Sequence, residues 1–118
     1  MAPRSVTLRL IDMVEAIDLV TAELDGVALA AFATDRRRQW IVERGIEIIS
    51  EASRHLDDDL KQRHPAIPWR KVAGIGNILR HEYQRTAYDV LWHVVRHELQ
   101  PLAQACRREL ERDASGTD

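Results

Sequence analysis

Residues 67–83 read IPWRKVAGIGNILRHEY, and the reading of this stretch decides the fold. Pro68 suits the first turn of a helix, where its missing N–H costs nothing, and the spacing that follows predicts a helix over about 68–83. Trp69, Val72, Gly76, Leu79 and Tyr83 fall on one side of it, the packing face. Arg70, Gly74, Asn77 and His81 make a polar stripe at spacings of four, three and four. Two glycines inside a helix cost roughly 1 kcal/mol each relative to alanine, so the close approach of a neighbour is expected to offset them. Helix–helix packing accounts for Gly76. At Gly74, beside Asn77 and His81, the expected neighbour is a partner chain or a substrate.

Outward from this stretch the chain keeps a helical period. Leu8, Ile11, Val14 (or Met13), Ile17 and Leu24 recur at helical spacing, predicting a first helix over about 7–24 that Gly26 ends. A short helical piece over 27–32 follows. Thr34 or Asp35 then caps a long helix running to about residue 60. One of its stripes holds Ile41, Gly45, Ile48, Ala52 and Leu56, and an adjacent one Val42, Ile46, Ile49 and Ser53. So wide an apolar face belongs to a central helix, and Glu47 and Glu51 are expected in solvent on its polar side. After a loop over 62–67 and the helix already described, 86–98 forms another, with Tyr88, Leu91, Trp92 and Val95 facing inward. Pro101 interrupts the pattern, so 102–110 is expected as a separate or kinked last helix, with a polar, disordered tail over about 114–118. No period-2 run is long enough for a strand. These elements predict a single all-α domain over 1–118, a four- to five-helix up-and-down bundle kinked at Pro101.

Length and composition set the bounds. A chain of 118 residues, nearly half apolar and almost a third charged, is sized for one core. No apolar run approaches the roughly 18 residues of a membrane span, and the N-terminus lacks the apolar region of a signal peptide. The lone cysteine, Cys106, excludes a disulfide framework and a cysteine-based zinc cluster, which makes the cytoplasm the expected compartment. A net charge of −2 conceals an asymmetry: over 61–97 seven Lys/Arg face two acids, giving +5, and the rest carries −7. Four of the five histidines lie in the same basic segment. Such a local surface attracts phosphates even on an acidic chain.

A histidine among arginines suits phosphodiester cleavage. RNA carries its own nucleophile, the 2′-OH, so an enzyme needs a base, a charge stabiliser and positioning. His81 can take the proton near neutral pH. Arg80, Arg70 or Arg85 can neutralise the crowded phosphate while Asn77 holds an oxygen. That scheme needs no metal or other cofactor. His93 and His97, one turn apart, have a spacing that can hold a metal, yet no third ligand accompanies them and none is expected there. Arg70 shares the stripe of His81 but lies roughly 16 Å away along the helix, at about 1.5 Å per residue, so the two would meet only across a dimer interface.

IPWRKVAGIGNILRHEY, followed by YDVLW, resembles the HepT toxins of the HEPN ribonuclease superfamily, and the helix IEIISEASRHL resembles the same family's second block, Glu47 and Glu51 included. The resemblance runs from about residue 8 to residue 110 and is sharpest over 68–83. It implies a HEPN-like bundle acting as a homodimer with two sites facing a shared cleft, a metal-independent endoribonuclease toxin. It further implies an MntA-type minimal nucleotidyltransferase as antitoxin, which transfers AMP to a tyrosine beside the catalytic histidine. The family motif is Arg, four residues, His, one residue, Tyr. His81 matches the histidine, Tyr83 the modified tyrosine, and Asn77 the asparagine after the arginine.

The arginine has no counterpart, since position 76 is Gly76. The guanidinium then falls to Arg80, directly before His81, with Arg70, Lys71 and Arg85 as RNA-binding cations. Tyr83 also lies on the apolar side of its helix, so a core tyrosine is the competing reading. Gly76 keeps a second function open as well: a catalytically silent HEPN-type protein that binds the nucleotidyltransferase or RNA.

Overall fold

A computed structural model describes residues 4–81 and 85–114, with 78–81 and 85–87 described by their backbone alone. The described residues form seven helices and no strand: α1 (Arg4–Leu24), α2 (Leu29–Phe32), α3 (Arg36–Ser53), α4 (Asp58–Arg63), α5 (Trp69–His81), α6 (Arg85–His97) and α7 (Leu99–Ala114). Five are long enough to form the bundle, and α2 and α4 are short connectors.

Cross-helix contacts fix an antiparallel order. Along α1, Thr7, Asp18 and Thr21 bond to Asp113, Arg107 and Gln100 of α7 in descending sequence. Glu23 meets Arg38 at the start of α3, and Val20 lies against Gly45. Ser50 and Arg54 of α3 reach Gly76 and Ala73 of α5, again in opposite directions. The chain therefore runs up and down, with α1 between α3 and α7 and with α5 on the far side of α3.

The core explains several boundaries. On α1 the buried stripe is Val6, Leu10, Met13, Ala16, Ile17, Val20 and Leu24. The expected stripe is rotated from this one: Leu8 and Ile11 lie on the exposed side, at 49% and 38% exposure. Met13 and Ile17 are buried as expected. The wide face expected of α3 is present, with Val42, Gly45, Ile46, Ile49, Ala52 and Ser53 all buried. Asp35 caps α3, its carboxylate accepting from the Arg38 backbone N–H at 3.1 Å.

α3 does not run to residue 60. It stops at Ser53, a hydrogen-bonded turn takes the chain through Leu56, and Asp57 caps a new helix by accepting from the Leu60 N–H at 3.1 Å. Asp58 and Asp59 in the first turn of α4, and Lys61 and Arg63 in its last, complement its dipole. Pro68 stands one residue before α5, and its carbonyl accepts the first helical bond, from Val72. The Trp69 indole N–H donates to the Lys61 and His64 carbonyls, both at 3.1 Å, and ties the start of α5 to the end of α4.

Pro101 lies inside α7, in its first turn, where no N–H has an intrahelical partner. The helix is interrupted three residues earlier, at Glu98, whose own N–H still donates to the Val94 carbonyl at 2.9 Å; proline cannot donate to the His97 carbonyl, and its ring crowds it. The last helix thus covers 99–114 rather than 102–110. Ala114 is helical, and the rest of the expected tail, 115–118, lies outside the described residues. Among the described residues no helix is long and apolar enough to cross a membrane.

Candidate functional site

The middle of α5 is clamped to α3 through its backbone. Ser50, itself buried, donates its hydroxyl to the Ala73 carbonyl at 2.8 Å and accepts from the Gly76 N–H at 3.3 Å. Arg54, the residue that ends α3, donates to the same carbonyl through Nε at 3.2 Å and Nη2 at 2.7 Å. One carbonyl of α5 therefore receives three side-chain bonds from α3. This approach favours a glycine at 76: a Cβ there would stand 3.1 Å from Ser50 Oγ, 3.5 Å from Ser50 Cβ and 3.8 Å from Arg54 Nη2. Gly76 is thus a packing glycine, as its place on the helix predicts. At Gly74 an added Cβ would meet nothing within 4 Å, so the chain itself supplies no close approach there.

Beside the clamp lies a polar cleft of about 160 Å³ lined by Arg44, Glu47, Ser50, Glu51, Arg54 and Gly76. Glu47 and Glu51 therefore line a cleft shared with α5, although both remain substantially exposed. Arg54 Nη1 donates to Glu51 at 3.1 Å, and His55 Nε2 meets the other Glu51 oxygen at 3.2 Å. The His55 hydrogen bond, joined by the Arg54 charge, outweighs the opposing effect of burial and holds the Glu51 carboxyl below the ordinary glutamate range. Arg44 stands 3.8 Å from Glu47. The antiparallel course of the two helices carries the last turn of α5 toward the Arg44 end of the cleft.

Asn77 follows the clamp and is exposed. Arg70 and Lys71 are exposed on the first turn of α5, and Lys71 donates to Glu98 at 2.7 Å. Lys71 therefore has an ion pair within the chain beside any role toward a ligand. The backbone of α5 extends through Arg80 and His81, and α6 begins at Arg85. The side chains of Arg80, His81 and Arg85, and the whole of Tyr83, lie outside the described residues.

The other side chains that stand out in the sequence make contacts within the chain. The His93 and His97 rings stack at 5.7 Å, and among the described residues no three His, Cys, Asp or Glu side chains converge as a metal site. Trp92 is half-buried and donates its indole N–H to the Val27 carbonyl at 2.9 Å, while Tyr88 sets its ring edge-on to Phe32 at 6.2 Å. Burial pushes the Cys106 thiol up to about 12, too high for a thiolate at neutral pH.

Sequence reasoning misses Ser50 and Arg54 as part of this region. Their signal is faint, a serine and an arginine four apart at the end of a helix, and their partners lie 19 to 26 residues further on.

A family profile described as "Ribonuclease HepT-like" matches residues 13–109. A protein of Thermococcus cleftensis named a probable ribonuclease HepT is 37% identical over 91 residues, covering 77% of this chain and 83% of that protein. A protein of Methanocaldococcus jannaschii with a provisional RNase name is 31% identical over 99 residues, covering 84% of this chain and 91% of that one. No solved structure matches the chain.

Proposed function

The chain belongs to the ribonuclease HepT-like family, and from that premise we propose that it is a metal-independent endoribonuclease, the toxin of a toxin–antitoxin pair acting in the cytoplasm. The observation that carries this reading is the placement of α5: its Gly76 lines a cleft bordered by arginines, and the next residue, Asn77, is exposed. The same helix continues to the Arg80–His81 pair.

In the proposed reaction His81 accepts the proton of a ribose 2′-OH as general base. The 2′-oxygen attacks the adjacent phosphorus, the bond to the 5′-oxygen breaks, and a proton is delivered to that leaving oxygen. The products are a 2′,3′-cyclic phosphate and a 5′-hydroxyl end. Arg80 neutralises the charge that builds on the phosphate, and Asn77 holds one of its oxygens. Arg70, Lys71 and Arg85 bind the flanking backbone. The active form is a homodimer with both sites on one cleft. An MntA-type nucleotidyltransferase neutralises it by moving AMP from ATP onto the Tyr83 hydroxyl with release of pyrophosphate, which sets negative phosphate where RNA phosphate would bind.

The test is RNA cleavage by the purified protein in excess chelator, beside His81→Ala and Arg80→Ala. Cyclic-phosphate ends formed despite chelator, and lost in His81→Ala, are the expected result. A folded protein that cleaves no RNA across a broad panel would instead make this a silent binding member of the family. Loss of neutralisation by the nucleotidyltransferase and ATP in Tyr83→Phe is expected as well, and a Tyr83→Phe toxin still silenced through AMP transfer would remove that tyrosine from the scheme.

A further inference from the structure

The volume beside Gly76 is occupied by a guanidinium from another helix, and this has a consequence for phosphate binding. Arg54 Nη2 comes within 3.8 Å of the point where a side chain at position 76 would begin. Its side chain is 34% exposed at the edge of the cleft, and its described bonds use three of its five N–H groups. Position 80 lies one turn beyond position 76 on the same face of α5, and Asn77 is the next residue. Building on the ribonuclease reading above, we propose that Arg54 is a second phosphate-binding guanidinium of this site, delivered from α3 into the space that Gly76 leaves open.

The chemistry fits an arginine at this point. A planar guanidinium can anchor on the Ala73 carbonyl through Nε and Nη2 and still direct its outer N–H groups toward an oxyanion. The anchor fixes the orientation before substrate arrives, which is what transition-state stabilisation needs. Glu51 does not block the role. It has two basic partners, so when a phosphate takes over Nη1, His55 retains the carboxylate at 3.2 Å. Gly76 and Ser50 complete the device: a Cβ at 76 would press on Ser50 Oγ at 3.1 Å, the hydroxyl that shares the Ala73 carbonyl with Arg54, and would reach ordinary contact with Arg54 Nη2 at 3.8 Å.

Three variants separate this role from a merely structural one. Arg54→Gln keeps a neutral donor for the Ala73 carbonyl but removes the charge, and Arg54→Ala removes both. The combination S50A/R54A/G76R abolishes the clamp and returns a guanidinium from α5 itself. With helicity and assembly state unchanged, Arg54→Gln and Arg54→Ala are expected to lower kcat for RNA about 100-fold with a smaller change in KM. The combined variant is expected to recover most of that loss.

Wild-type cleavage in Arg54→Gln, or a folded combined variant as slow as Arg54→Ala, would overturn the proposal while leaving the ribonuclease reading intact. If the wild type cleaves nothing, that reading fails by itself, and binding of a short 2′-O-methyl RNA of mixed sequence decides the question for Arg54. Roughly tenfold weaker binding by Arg54→Gln would sustain the contact. Equal binding, or no binding by the wild type, would overturn it.

Discussion

A methyl group added at Gly45 and one added at Gly74 meet opposite surroundings. At Gly45 the new Cβ would run into the Val20 side chain of α1, where two long helices touch backbone to side chain. Gly45→Ala is therefore expected to lower stability by about 1–3 kcal/mol through overpacking. At Gly74 nothing lies within 4 Å, so Gly74→Ala should raise stability by up to about 1 kcal/mol from helix propensity alone. Urea denaturation of both variants checks the pair, and matching signs would show that α3 and α1 are not seated as described. The Gly74 variant also tests the visitor expected there. A stabilised protein that has lost self-association or RNA cleavage would show that the open space serves a second molecule. At Gly76 the two effects oppose each other, because the helix gain competes with the 3.1 Å approach to Ser50 Oγ.

Between elements, the buried Glu109 carboxylate of α7 joins α4 to the loop ahead of α5. It accepts from Arg63 at 2.6 Å and 3.2 Å and meets His64 Nε2 at 2.7 Å. Burial alone would raise its pKa, but the Arg63 and His64 hydrogen bonds outweigh burial and hold it below the ordinary glutamate value. A depressed carboxyl pKa stabilises the fold above the unfolded value of about 4.3, and that contribution fades as pH falls through the folded value. Glu109→Gln should therefore cost about 2 kcal/mol near pH 7 and much less near pH 3, as read by denaturant midpoints at both. A constant gap across that range would mean the charge is irrelevant. This cluster, unlike the helices it joins, leaves little trace in the sequence. Apolar period is enough to find α1, α3, α5 and α6, but not the break at 54–57. There Asp57 competes as a cap inside a stretch whose helical period continues to Leu60. Pro101 reads as an interruption although first-turn positions tolerate it, and the break it causes falls at Glu98. The candidate site is legible in part for the same reason. Gly76 and Asn77 stand on one short string, whereas Ser50 and Arg54 join them only after α3 and α5 pack.

At the scale of the whole molecule, a bundle with extents of 49 × 27 × 22 Å and a net charge of −2 must bind RNA through a local surface. The basic segment over 61–97 spans the end of α4, α5 and α6. Among the described residues three of its cations also serve the fold: Arg63 with Glu109, Lys71 with Glu98, and Arg96, which donates to the Leu24 and Val27 carbonyls where α1 meets α2. The other four are Lys61, Arg70, Arg80 and Arg85. Each phosphate neutralised on a single strand contributes about −0.7 to the slope of log affinity against log salt, so one protomer using those four together with Lys71 and Arg54 should give a slope of about −4. If a homodimer offers both sites to one RNA across a shared cleft, the slope should steepen toward about −8, with one RNA bound per two chains. Titrating a non-cleavable 2′-O-methyl RNA over a range of salt, with the stoichiometry measured alongside, distinguishes the two. A flat salt dependence would mean that the basic segment is not the RNA surface, since binding through these cations has to release counterions.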